Sequence, residues 1–481
     1  MVINLLTTND EKKLLILAHF ETNNHSPITL VKIKEFTELS TFKSVNLLDE
    51  LTDELSRFQF NCSIENNNNK EFTSFGINTE VINQYRLLLL KQSPYFKIFM
   101  FYFLNGKNFN LLTQSLNISQ SNAYILVKNL NGILKPYNMK IHNKKLVGDE
   151  RQIRLKTFEM FNFYFKGMEF PFEEALFKKI EPLIFELSKA IPMNKTPNLV
   201  LKLRIFLAIN YLRINQNFTI EPSVERNFNI ENSLELKRLF KVWENRLLKI
   251  SHTELDGVIF YSEYQYLLEF LFSETLINYD TILDNVEIPE IVEERSNEFL
   301  KLLINMNYLE IDSPNFYKLE KKCYSIFFKR FFYSYQIDSF YDKTSYEQYS
   351  ELYPNVSGVI MTYLELIEQN DFSNPENILL YYDLLFALLT LLPVSTFEPP
   401  IHICVDFSRG DSYTEHIKNN IRSFNSLEIH FDDIITDETS LYISDFATYE
   451  YRIPQVIWRN PPTTNDWKIL GNTLIALKQE I

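Results

Sequence analysis

Residues 118–154 read ISQSNAYILVKNLNGILKPYNMKIHNKKLVGDERQIR. The hydroxyl of Ser119 can accept an orphan N–H of a first helical turn, which makes it a helix cap. A long helix is predicted from Gln120 to Leu134, and Pro136 ends it because proline has no N–H to give and clashes with the preceding turn. Two short runs follow, Met139–His142 and Lys145–Gly148, separated by Asn143-Lys144, a pair suited to a two-residue hairpin turn. Before Ser119, residues 92–105 predict an apolar helix that stops at Gly106, 109–116 (FNLLTQSL) a short helix, and Asn117-Ile118 a turn. Helix, helix, turn, long helix, hairpin is the order of a winged helix-turn-helix.

The same order precedes it. Residues 11–20 (EKKLLILAHF) predict an amphipathic helix capped by Asn9 or Asp10, 29–37 a short helix, and 41–57 a longer one after a break at Leu39-Ser40. Phe60–Glu65 and Glu71–Ile77 flank the tip Asn66-Asn67-Asn68-Asn69 as a β-hairpin. Sequence identity between the two units is negligible, so the repetition is one of pattern.

Charge divides the chain in the same place. Residues 81–148 carry nine Lys or Arg and no Asp or Glu, in a chain of net charge −14. Residues 1–150 have net charge +2, and the other 331 residues net −16. A carboxylate repels phosphate, so an acid-free surface of this size suits a polyanion. The acidic remainder suits a body that stays off DNA.

Residues 151–392 have helical periodicity in two blocks, 165–285 and 286–392, with Pro171, Pro182, Pro192 and Pro197 punctuating early helices and Pro289, Pro314 and Pro354 later ones. Pro393, Pro399 and Pro400 mark a boundary. Beyond it, strands at 401–406, 427–431, 441–446 and 455–458 and helices at 412–424 and 465–480 predict a small parallel sheet with flanking helices. Ile378–Val394, the most apolar run, is 17 residues long and includes Asp383, which predicts a buried helix and not a membrane span. The start MVINLLTTNDEKK has no signal-peptide pattern. Cys62, Cys323 and Cys404 are odd in number and far apart, as expected in a reducing cytoplasm.

Several chemistries lack their motifs. The nine glycines form no G-x-G-x-x-G or G-x-x-x-x-G-K-[ST] cradle, no G-x-S-x-G occurs, and the seven histidines show neither H-E-x-x-H nor Cys/His ligand spacing. Neither catalysis, a cofactor nor a metal is expected. The expected DNA contacts of the second unit are Ser119, Gln120, Ser121, Asn122 and Tyr124 at the start of the long helix. Lys128 lies further along it, and Lys140, His142, Lys144 and Lys145 are on the hairpin. Gln and Asn can pair with adenine, while Lys suits phosphate. In the first unit the expected contacts are Lys32 and Lys34 on the short helix and Thr41, Lys43, Ser44 and Asn46 on the longer one. Asp49, Glu50, Asp53 and Glu54 confine any approach there to the helix start.

The 118–154 run, with its recognition helix, wing, and then Gly148, Glu150, Ile153 and Arg154, resembles the winged helix-turn-helix of Mga and AtxA-type regulators. That virulence-regulator family includes MafR-like members and carries PTS regulation domains (PRDs). The resemblance implies a mainly α multidomain chain: winged helix-turn-helix domains at 1–80 and 81–164, all-α PRD-like bundles at 165–285 and 286–392, and an α/β domain like the IIB component (EIIB) of the sugar phosphotransferase system at 393–481. It implies a cytoplasmic, nucleoid-associated DNA-binding transcriptional regulator of the global activator type, acting on virulence or carbohydrate-linked genes. The partners implied are double-stranded DNA, a second copy of the chain through the PRD-like and EIIB-like parts, RNA polymerase, and a phosphocarrier of the sugar phosphotransferase system; no membrane is involved. The few arginines imply reliance on DNA shape. A nucleoid-like architectural protein and a phosphotransfer-relay component are the alternatives. The family's regulatory phosphohistidines are sparse: His252 is the one histidine between residues 143 and 401 and the one candidate phosphoacceptor. Cys404 lies within a strand, unlike the loop cysteine of a IIB component, and Ser408, Arg409 and Ser412 are candidates for holding an anion at a helix start.

Overall fold

The computed structural model describes residues 2–23, 26–67, 70–106, 108–222, 233–250, 256–277, 288–335, 343–372, 374–423 and 427–480. The chain divides into two compact units, Met1–Asn278 and Tyr279–Ile481. Among the described residues no helix is long and apolar enough to cross a membrane.

The first unit begins with α1 (Thr8–Asn23), β1 (Ile28–Thr29), α2 (Leu30–Thr37), α3 (Thr41–Arg57) and the hairpin β2 (Ser63–Asn67)–β3 (Glu71–Phe75). Neither Asn9 nor Asp10 caps α1. Thr7 and Asp10 exchange hydrogen bonds at its start (3.2 and 3.3 Å), so the helix opens earlier, on a reciprocal capping pair. β1 adds a third strand, giving the sheet order β1-β3-β2, an element too short to show as a sequence pattern.

Next come α4 (Thr79–Gln92), α5 (Pro94–Phe103), α6 (Phe109–Leu116), α7 (Gln120–Leu134), the hairpin β4 (Met139–His142)–β5 (Lys145–Gly148) and α8 (Glu150–Phe165). The expected helix over 92–105 is in fact the end of α4 and all of α5. Ser93 caps α5, accepting from Tyr95 and Phe96, and Pro94 takes its first position, where a missing N–H costs nothing. Phe96, Ile98, Phe99, Tyr102 and Phe103 are buried, as an all-round apolar segment requires.

The two motifs coincide in detail. α2 and α6 each span eight residues. Each ends on a residue in the left-handed region, Glu38 (φ 55°) and Asn117 (φ 57°), and each following helix is capped by a serine, Ser40 and Ser119. Each hairpin closes on a glycine with no room for a side chain. A Cβ on Gly76 would lie 2.5 Å from the Asn61 carbonyl oxygen, and one on Gly148 would lie 2.3 Å from that of Asn138.

The helical body of this unit continues with α9 (Glu174–Ala190), α10 (Pro197–Ile214), α11 (Leu234–Ile250) and α12 (Gly257–Ser273). Pro182 does not punctuate a helix: it lies inside α9. Pro197 opens α10 at its first turn.

A buried charged network ties α8 to this body. Arg154 is 1% exposed and meets Glu263 of α12 through two N–H···O contacts (2.6 and 2.9 Å), Asn210 of α10 (2.6 Å), the Phe218 carbonyl (2.9 Å) and Glu150 (2.9 Å). Glu150 also accepts from Arg213 of α10 at 2.9 and 2.7 Å, and Arg151 reaches Glu269 of α12 at 2.5 Å. Burial alone would raise the Glu150 carboxyl, but Arg213 and Arg154 outweigh it and hold the group below the usual carboxylate range. Burial would likewise lower Arg154, and the charges of Glu263 and Glu150 keep it firmly protonated.

The second unit holds α13 (Glu290–Asn305), α14 (Pro314–Phe332), α15 (Lys343–Leu352), α16 (Pro354–Leu366) and α17 (Pro375–Leu391). Prolines open α14, α16 and α17, and α17 is the apolar run read as a buried helix, with Leu380, Tyr381, Leu384, Leu385 and Leu388 inside. Then follow β6 (Ile401–Asp406), α18 (Asp411–Arg422), β7 (Ile429–Asp432), β8 (Leu441–Ser444), β9 (Gln455–Ile457) and α19 (Thr464–Glu480). The four strands form a parallel sheet in the order β7-β6-β8-β9. Ile401, Ile403 and Val405 share one core with Ile417 and Ile421 of α18 and Leu470, Leu474 and Leu477 of α19.

Removing one partner of a buried, multiply bonded pair strands the other charge in a dry site, at a cost of roughly 3–5 kcal/mol. Glu263→Ala is therefore expected to lower the unfolding free energy of the first unit by about 3–5 kcal/mol, measured as a shifted denaturant midpoint followed by circular dichroism.

Candidate nucleic-acid interface

The surface built by α7 and its hairpin follows from their packing. Ala123, Leu130 and Leu134 turn inward from α7, and Met139, Ile141 and Leu146 from the hairpin. Period 3.6 on the helix and period 2 on the strands then leave the polar residues outside. Ser119, Gln120, Ser121, Asn122, Tyr124 and Lys128 are all exposed, as are Lys140, His142, Lys144 and Lys145.

Local hydrogen bonds hold these side chains in place. Ser119 accepts from the Asn122 N–H at 3.2 Å, capping the helix. Gln120 donates to Asn110 of α6 at 2.8 Å. Tyr124, 63% exposed, stacks on Phe109 with ring centroids 4.7 Å apart. Asn143 and Lys144 both take positive φ (48° and 60°), and His142 pairs with Lys145, the geometry of a two-residue hairpin turn. The Lys145 ammonium lies 5.6 Å from the centroid of the Phe218 ring.

Asn131 was not singled out in the sequence. Its amide donates to the Ile141 carbonyl (3.1 Å) and accepts the Ile141 N–H (2.6 Å). This two-point clamp fixes the hairpin against α7, and a polar residue on the helix's inner side was the only sequence signal for it.

The first motif presents less. Lys32, Thr41, Lys43 and Asn46 are exposed and Lys34 is half-buried. Ser44 is a correction: it is 0% exposed and lies on the inward stripe of α3 with Leu47, Leu48, Leu51 and Leu55, so it cannot meet DNA. Counted from the capping serines, Ser44 corresponds to Ala123, which is also 0% exposed; a small residue sits at this inward position in both helices. By the same count Lys128 corresponds to Asp49, so charge of opposite sign occupies the same place. Glu54 is half-buried and reaches the buried Lys13 ammonium at 2.8 Å, which offsets part of its repulsion, whereas Glu50 pairs with the same ammonium at 3.5 Å but stays 59% exposed.

The phosphotransfer candidates have other surroundings. His252 lies outside the described residues. Cys404 is buried in β6, and burial first, then Asp406 and Asp432, pushes its thiol up, away from the reactive thiolate form. The Ser408 N–H donates to Asp445 at 2.9 Å and its hydroxyl to the same carboxylate, while Asp411 opens α18. Those acids oppose an anion.

Residues 78–165 match the family model of the Mga helix-turn-helix domain. No curated protein matches the chain. The matched segment spans α4 to α8, and so contains the exposed faces of α7 and the hairpin together with the arginine network on α8. The match supports a DNA-binding transcriptional regulator.

Gly148 joins the hairpin to α8. In Gly148→Ala the new methyl group must displace the Asn138 backbone, and overpacking of this kind costs about 1–3 kcal/mol. The expected result is a lower thermal midpoint with unchanged helix content by circular dichroism.

Proposed function

We propose that this chain is a transcriptional regulator of the Mga type that grips duplex DNA through both of its helix-turn-helix and hairpin motifs. The observation that carries this reading is the exposed face of α7 and β4–β5, in a segment with no carboxylate from residue 81 to 148. α7 has 15 residues, or about 22 Å at 1.5 Å per residue. It can lie in a major groove about 12 Å wide with its first turn toward the base edges. Gln120 and Asn122 are the base readers, Ser119, Ser121 and Tyr124 support them, and Lys128 meets phosphate. Lys140, His142, Lys144 and Lys145 on the hairpin face the flanking backbone. The first motif adds weaker contacts through Lys32, Lys34, Thr41, Lys43 and Asn46.

Direct base readout is limited in this reading. No arginine, the commonest reader of guanine, lies between Arg86 and Arg151, and Gln120 is shared with Asn110. Specificity then rests on how readily the DNA deforms. The protein acts as a global activator in the cytoplasm, on the nucleoid, and pairs with a second copy through its PRD-like and EIIB-like parts. It works with RNA polymerase and performs no catalysis. A phosphocarrier of sugar uptake becomes a partner only if His252 accepts phosphate. The scarcity of base readers also favours a second reading, an architectural protein with little sequence preference.

Gel retention with promoter DNA against random competitor separates the two readings: equal affinity for both favours the architectural one, and no retention at low salt overturns both. Lys128→Ala is expected to weaken binding to all sequences and to reduce the salt slope by about one unit. Gln120→Ala and Asn122→Ala are expected to change sequence preference at about 1–3 kcal/mol per lost base contact, measured by competition among single-base variants of the site.

A further inference from the structure

The sheet of the second unit gathers ligands that are far apart in the sequence. Pairing of β6 with β7 places His402 directly beside His430, in parallel register. Residues i and i+2 share a face of a strand, so Asp432 projects from the same face as His430, one step along. Ile401, Ile403 and Val405 point to the opposite face and join the core with α18 and α19. Backbone pairing therefore sets two imidazoles and a carboxylate side by side, away from that core.

Their distances suit one ion. His402 Nδ1 lies 3.0 Å and His430 Nε2 3.8 Å from the same oxygen, Asp432 Oδ1, and one donor atom from each of the three residues lies within 4.8 Å of the others. Donors about 2.0–2.1 Å from a tetrahedral Zn²⁺ are about 3.3 Å apart, which falls between the two measured separations. The second carboxylate oxygen, Oδ2, accepts from the Thr439 hydroxyl at 2.7 Å, so the carboxylate is oriented with Oδ1 toward the imidazoles. Support of this kind fixes a ligand and tunes its affinity. The His430 side chain is 63% exposed and that of Asp432 11%. The site is thus largely buried on its Asp432 side and open to water on its His430 side.

We propose that His402, His430 and Asp432 form a binding site for a zinc-class divalent transition ion, with the fourth position open. Imidazole nitrogen selects Zn²⁺, Ni²⁺ or Cu²⁺ over Mg²⁺ and Ca²⁺, which prefer all-oxygen shells. The bound ion clips β6 to β7 and stiffens the sheet. The proposal departs from the sequence-based expectation of no metal, because linear spacing does not pair residues brought together by a crossover between strands. The proposal is independent of DNA binding.

The test is Zn²⁺ titration of the metal-stripped full-length protein against a chromogenic chelator, with Co²⁺ as a spectroscopic substitute. The expected result is one equivalent per chain, a rise in thermal midpoint, and a visible Co²⁺ band of tetrahedral intensity. His430→Ala changes an exposed side chain, so its fold should survive, checked by circular dichroism; it and His402→Ala should each lose at least about tenfold in affinity, and Thr439→Val about tenfold. His416→Ala, exposed on α18, should bind normally. Absence of uptake by the wild type, or uptake unchanged in a folded His430→Ala protein, would overturn the proposal.

Discussion

Arg154 sits at the bottom of α8 with no solvent around it, and the first unit is organised about that charge. A buried guanidinium is tolerable only when its donors are met by acceptors with good geometry. Glu263, Asn210, Glu150 and the Phe218 carbonyl do this, and Arg213 in turn balances Glu150. These partners come from α8, α10, α12 and the segment after α10. The helix that closes the Mga helix-turn-helix segment is thereby bolted to the helical body by directional bonds, whereas apolar packing alone would tolerate small slides. An interface to DNA needs such support, because a recognition helix is only as well aimed as the scaffold behind it.

The two motifs show what is shared by folding and what is free for function. Left-handed turn residue, serine cap, small inward residue and closing glycine recur in both, since each answers a geometric demand of the same backbone path. The outward residues differ, with Asp49 where the second motif has Lys128. Charge on the exposed face is not constrained by packing and can diverge. This is the physical basis for the proposal that the second motif makes the main DNA contact and the first a lesser one.

Most of the fold was legible. Serine caps, proline stops, a two-residue turn and apolar periodicity are local signals, and α3, α6, α7 and both hairpins lie close to where those signals put them. The misses have physical causes. Pro182 is carried within α9 because tertiary packing can override a local breaker. β1 escapes notice because two residues hold no period. Ser44 was assigned to the surface from its chemistry, although its spacing from Leu47, Leu48, Leu51 and Leu55 already marked the inward stripe. The candidate DNA face was legible from its missing carboxylates, but the Asn131 clamp was not, since a helix–strand hydrogen bond has no sequence spacing of its own.

The sequence by itself determined the order of helices and strands, the division into a slightly basic front and an acidic remainder, and the outward residues of α7. These depend on neighbours within a turn or two, or on composition alone. Tertiary structure decided which charges are buried together, that Glu50 and Glu54 turn toward Lys13, and that His402, His430 and Asp432 meet on one sheet face. Those outcomes require segments far apart in the chain to come within a few ångströms of each other, and nothing local specifies such a meeting.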